Sequence, residues 1–250
     1  MISKERLCRA GAIILALAVW QGVCVLVNTE FLLASPLTVM KRLFVLVREK
    51  DFLKTVFFSS RNIAKGFLLA FSSGCILAIL AGRFRWLELL LWPYVATVKA
   101  VPIVSFTILC LIWFSYEQLT VLISFLIVFP VIYSNFLQGL KSTDADMLEM
   151  ARLYRVSRLR KFLLISLPSV KPFLLSACSI SVGMAWKAGV AAEVIGVVGG
   201  SIGERLYESK IYWQNADLLA WTLMIILLGM LGEKLFQVIL KAVFSGVEKL

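Results

Sequence analysis

Apolar runs recur along the chain at Cys8–Val27, Ala64–Ala81, Leu89–Phe114, Leu119–Leu140, Phe173–Ala192 and Leu218–Leu240. Each is near the roughly 20 residues that a helix needs to cross a bilayer. None shows the strict alternation of a barrel strand, and lipid leaves no water for unpaired backbone groups, so six membrane helices are predicted. One polar island breaks the pattern, EMARLYRVSRLRKFLLISLPSVKPF, from Glu149 to Phe173. Seven basic residues fall between Lys141 and Lys171, and Pro168 and Pro172 precede the next apolar run. Such a segment lies outside the bilayer, and an ordered polar loop in a multispan protein points to the binding of something soluble. A second polar stretch, Asn28–Ile63, sets Leu43, Phe44 and Val47 against Lys41, Arg42 and Arg48, the pattern of an amphipathic helix on the membrane surface.

The division expected is an N-terminal part, 1–62, with an anchor span and the surface segment, and a core, 63–250, containing a loop at 141–172. Lys4, Arg6 and Arg9 precede the first run, as in a signal peptide. The run is longer than the usual signal core and no small-x-small cleavage site follows near Asn28, so a retained anchor is the better reading.

Composition agrees with the pattern. The 250 residues are 60% apolar and 16% charged, with a mean hydropathy of +0.90, outside the range of soluble domains. The net charge of +11 suggests nucleic acid until its distribution is considered. Lys and Arg gather at alternate span ends: Lys4, Arg6 and Arg9, then Arg83 and Arg85, then the island, then Lys241 and Lys249. That asymmetry places both termini and the island in the cytoplasm of a multi-pass plasma membrane protein and leaves no role for nucleic acid. Asn28–Ile63 fits less well, being external by this count yet carrying six basic residues from Lys41 to Arg61.

Enzymatic chemistry finds little support. There is no histidine, the five cysteines (Cys8, Cys24, Cys75, Cys110, Cys178) show no metal or pairing spacing, and no phosphate-binding G-x-x-x-x-G-K-[ST] loop occurs. No catalytic residue, metal site or cofactor is therefore expected in this chain. Gly199, Gly200 and Gly203 read as an external turn. Polar residues within spans are the remaining signal. Lys99, near the middle of the third run, should face a cavity or a partner, since a lysine at that depth costs several kcal/mol against lipid. Pro102, three residues on, interrupts the helix and frees a carbonyl, as broken helices in transporters do. Lys187 either lines the same pathway, snorkels to the outer interface or pairs with Glu193 across subunits.

The island also carries a resemblance. It is similar to the cytoplasmic signature loop of permease subunits of bacterial ATP-binding-cassette (ABC) importers, E-A-A, three residues, G, nine residues, I-x-L-P. Glu149, Met150 and Ala151 take the first three positions, Arg155 stands at the glycine, and Ile165, Leu167 and Pro168 close the motif. Ser35-Pro36, Gly66-Phe67, Lys99 to Pro102, Phe129-Pro130, Gly139-Leu140, Gly183 to Trp186 and Ala192 to Gly196 resemble the nitrate, sulfonate and taurine-type subfamily.

The resemblance implies an all-α permease in the bacterial inner membrane, working as a homodimer with its pathway at the two-fold axis. Its partners would be ABC ATPase subunits, which bind the ATP, and an extracytoplasmic substrate-binding protein docking near Glu193–Trp213. The island would form two short coupling helices ending at the prolines, with Met147, Leu148, Ala151 and Leu153 as the contact face and Glu149 pairing with a basic group. Arg155 means that the turn is made differently or that a bulkier contact is tolerated. Lys99, Pro102, Trp186, Lys187 and Glu193 are the expected pathway residues. The substrate would be a small anion such as a sulfonate, taurine or nitrate. A pyrimidine-type vitamin precursor carried by the same machinery, or a channel or secondary transporter outside it, are the alternatives.

Overall fold

The computed structural model describes residues 2–27 and 33–247. Lys249, and Asn28 at the start of the expected surface segment, lie outside the described residues, as do the side chains of Lys4, Arg6 and Arg9. Eleven α-helices make up the described residues: α1 (Ile2–Val27), α2 (Pro36–Leu46), α3 (Phe52–Arg83), α4 (Arg85–Ala100), α5 (Ile103–Cys110), α6 (Tyr116–Lys141), α7 (Ala145–Leu153), α8 (Arg158–Lys161), α9 (Leu167–Gly196), α10 (Ile202–Ile211) and α11 (Asn215–Val247).

Four stretches are long and apolar enough to cross a membrane: α3, α6, the continuous helix Arg158–Gly196 and α11. The pair α4 and α5 makes a fifth if counted as one span, bent by 101°. The third span expected at Leu89–Phe114 is broken where Pro102 is expected to interrupt it, with Pro102 at the break and acting as N-cap of α5. The first predicted span, Cys8–Val27, falls in α1, whose described apolar stretch, Gly11–Leu26, is shorter.

Helices α3 and α6 run parallel at the centre. Gly66, Gly74 and Gly82, eight residues apart, face Ser124, Ile132 and Leu140, which are also eight apart. A Cβ at Gly74 would lie 3.1 Å from the Ile132 side chain, and one at Gly66 2.7 Å from that of Ser124, so the glycines let the two backbones approach. Helix α9 runs antiparallel to α6, with Gly139 against Val170 at one end and Ser124 donating to the Ala185 carbonyl towards the other. The core formed by these three helices includes Ile63, Val128, Ile132, Val170 and Cys178. α11 closes it through edge-to-face contacts of Phe236 with Phe67 and Phe71.

Two sides of the bundle follow from these directions. On the side of α7, Lys141 pairs with Glu88 at 2.5 Å and Lys171 lies over the Phe244 ring. On the opposite, far side, Phe52 stacks on Trp221 and Arg42 of α2 holds Asp217 at the start of α11.

Three expectations need correction. The boundary placed after residue 62 falls inside α3, and Val39, Leu46 and Phe52 share one buried core with Ile63 and Val182, so the chain does not divide there. The amphipathic surface segment shrinks to α2, because its second half is the first third of α3. Pro168 and Pro172 do not end a helix. A π-helical turn, Phe162–Ser166, joins α8 to α9, and its extra residue accommodates Pro168 within a continuous helix. Gly200, at φ +76°, is the expected turn, while Gly203 belongs to α10 and packs against Glu193.

Candidate functional site

Helix α7 begins at Asp144, whose side chain accepts from the Asp146 N–H, and ends at Tyr154. The Val156 N–H bonds the Ala151 carbonyl and the Arg155 N–H bonds the Arg152 carbonyl, the two bonds of a Schellman motif. Arg155 is the left-handed residue of that motif, at φ +50°. The turn is therefore made by an exposed arginine, in a conformation that costs an L-residue about 1–2 kcal/mol. Ala151 is buried and does not join a contact face, because its small side chain is turned towards the body of the protein. Met147, Met150, Leu153 and Tyr154 are exposed, Glu149 is exposed beside them, and Leu148 is half-buried. No other helix packs extensively on α7 among the described residues. Ile165, in the π turn, and Leu167 and Pro168, at the start of α9, are all half-buried.

Between α4 and α6 on the same side lies a groove of 270 Å³. Lys99 lies in it and donates to the Ser134 hydroxyl at 2.9 Å. Tyr133 and Gln138 also line it, as does the Glu88–Lys141 pair. The Tyr133 hydroxyl is buried without a hydrogen-bond partner. Pro102 lies where α4 ends, so the 101° bend directs α5 away from the helix that carries Lys99.

The other expected pathway residues are elsewhere. Trp186 is buried, with its indole nitrogen against Gly232 of α11, so it fills the core rather than the groove. Lys187, one residue on and therefore about 100° around the helix, is exposed. Glu193 is fully buried and forms no ion pair with Lys187 of its own chain. Its Oε2 accepts from the Ser59 hydroxyl at 2.8 Å and from the Gly203 N–H at 3.2 Å. The Ile202 N–H donates in turn to Ser59 at 2.9 Å. The Thr120 and Ser201 hydroxyls lie around the same carboxyl.

Among the described residues no group of His, Cys, Asp and Glu could hold a metal ion. A family model for the inner membrane component of binding-protein-dependent transport systems matches residues 74–248. The chain belongs to that family. It is a transport permease subunit and not an ATPase, and its family works with an ATPase and a substrate-binding protein in the inner membrane.

This permease is 27% identical over 226 residues to SsuC of Bacillus subtilis, provisionally named an aliphatic sulfonates transport permease protein, covering 89% of this chain and 81% of SsuC. It is 28% identical over 194 residues to the nitrate import permease protein NrtB of Leptolyngbya laminosa, covering 76% and 68% of the two chains. To the bicarbonate transport system permease protein CmpB of Synechococcus elongatus it is 26% identical over 180 residues, covering 70% and 64%.

Sequence reasoning missed Ser59, Thr120 and Ser201 of the permease as partners of Glu193. They are scattered over 142 positions, and a serine or threonine inside a helix carries no signal of what it faces. Ser134 as the partner of Lys99, and Arg42 as the partner of Asp217, were likewise hidden. At Arg155 the geometry gives a direct expectation. Arg155→Gly removes the left-handed penalty and slows amide exchange of α7 by roughly five-fold, about 1 kcal/mol, whereas Arg155→Val speeds it. Hydrogen exchange of the membrane-embedded protein measures both.

Proposed function

We propose that this chain forms the translocation pathway of an ATP-driven importer for a small oxyanion, as a homodimer with both termini and α7 in the cytoplasm. The observation that carries the reading is α7, a helix that turns apolar side chains outward and, among the described residues, packs extensively on no other helix of its own chain. Partner ATPase subunits bind and hydrolyse the ATP, and α7 with α8 transmits their closure to α9. The exposed apolar residues of α4 and α5, such as Trp92, Tyr94, Val104 and Ile108, support a membrane interface with a second copy, which would close the Lys99 groove. Lys99 supplies positive charge to that groove. The named substrates of the relatives, sulfonate, nitrate and bicarbonate, are all small oxyanions, which suits a lysine.

Reconstitution in proteoliposomes with the ATPase and the binding protein tests this. ATP-dependent accumulation of labelled ethanesulfonate, nitrate or bicarbonate is expected, and none without the ATPase. Accumulation independent of ATP would overturn the importer reading, and uptake of a neutral pyrimidine instead would overturn the substrate class.

A further inference from the structure

We propose that Glu193 is a positioning residue that fastens α10, as the helix that senses the extracytoplasmic partner, to the far end of the rod whose near end is the coupling segment. The inference rests on the permease reading above. The Glu193 carboxyl receives the Gly203 N–H directly and the Ile202 N–H through Ser59, so the first turn of α10 is tied to both α9 and α3. A helix N-terminus carries partial positive charge, which makes it a matched partner for a buried carboxyl. Gly203 has no room for a Cβ, which would collide with the Cβ and backbone of Glu193, so nothing stands between the two helices. If α10 moved off, the carboxyl would lose the Gly203 N–H and be left with neutral hydroxyls alone in its buried site.

The carboxyl also has somewhere to go. Its Oε1 and the neighbouring Thr120 hydroxyl of α6 are both buried without a well-aligned hydrogen-bond partner. The Thr120 hydroxyl is therefore placed to hold Oε1 when α10 moves, alongside the contacts Oε2 already makes. Glu193 lies near the far end of one 39-residue helical stretch, Arg158–Gly196. Its irregular part is the π turn Phe162–Ser166, where a shift of register by one residue moves and rotates the coupling end. Displacement of α10 on the far side thus reaches α8 and α7 through a single element.

The test compares wild type with Glu193→Gln, Glu193→Asp and Ser59→Ala in the reconstituted complex. ATP hydrolysis is measured with and without binding protein loaded from a mixture of ethanesulfonate, nitrate and bicarbonate. Glu193→Gln is expected to assemble and keep basal hydrolysis but to lose stimulation at least five-fold, with Ser59→Ala intermediate and Glu193→Asp partly restored. Unchanged stimulation overturns the proposal, and so does an equal fall of basal and stimulated rates. A second readout uses the permease alone. Amide exchange over residues 158–166 should quicken at least five-fold in Glu193→Gln, while exchange over the first turns of α4 stays as in wild type. No change at 158–166 overturns the proposal. Absence of stimulation in the wild type would count instead against the importer reading, and the exchange experiment would still decide this one.

Discussion

Glu149→Arg combined with Leu153→Asp is expected to abolish recovery of the ATPase with the permease and to reduce ATP-dependent uptake to background. Leu153 is 77% exposed and Glu149 lies on the same short helix, so both are free to meet a partner. An apolar anchor buried at an interface contributes about 2 kcal/mol or more, and reversing a paired charge costs a similar amount. Together, about 4 kcal/mol is roughly a thousand-fold in affinity, enough to empty a micromolar site. The permease itself should insert normally and unfold at an unchanged temperature, because α7 packs so little on the rest of the chain. Co-purification and thermal unfolding measure the two halves of this expectation. Undiminished recovery of the ATPase would place the docking surface elsewhere.

The second large effect belongs to Lys99. Lys99→Glu should lower uptake of an oxyanion about 100-fold, Lys99→Gln should lower it less, and Lys99→Arg should retain most of it. A charge pair at about 4 Å is worth roughly 1 kcal/mol in water and about 4 at the effective dielectric of a protein surface. Lys99 is exposed in one chain, so a value between these limits is appropriate, and reversal of sign doubles the effect. Uptake kinetics in proteoliposomes, with the ATPase rate followed in parallel, separate lost selection from lost coupling. Equal rates in Lys99→Glu and wild type would remove the lysine from the pathway.

Much of the fold was legible because membrane helices announce themselves in hydropathy, and α6 matches its sequence expectation to within a few residues at both ends. The start of α3 was not legible, since Phe52–Ile63 mixes charged and apolar residues while its buried face depends on α11 and α10. The π turn was hidden for a different reason. Proline breaks a regular α-helix, and nothing in the residues of Phe162–Ser166 signals that an extra residue in the turn accommodates the change. Within the candidate site, the coupling motif was readable down to the position of its turn, whereas the burial of Ala151 was not. Trp186 and Lys187 are adjacent in sequence, and only the packing of α11 against α9 decides which of them faces inward.

The bond between Arg42 and Asp217 joins residues 175 positions apart, through two contacts between guanidinium and carboxylate, and Glu49 adds a third at 3.2 Å. Asp217 stands just inside the last helix, so during synthesis α2 waits for nearly the whole chain before its main acidic partner exists. Closure of this end of the bundle is therefore tied to the last helix: only a chain extended as far as α11 can fasten α2 through Asp217, and before that Arg42 has Glu49 alone.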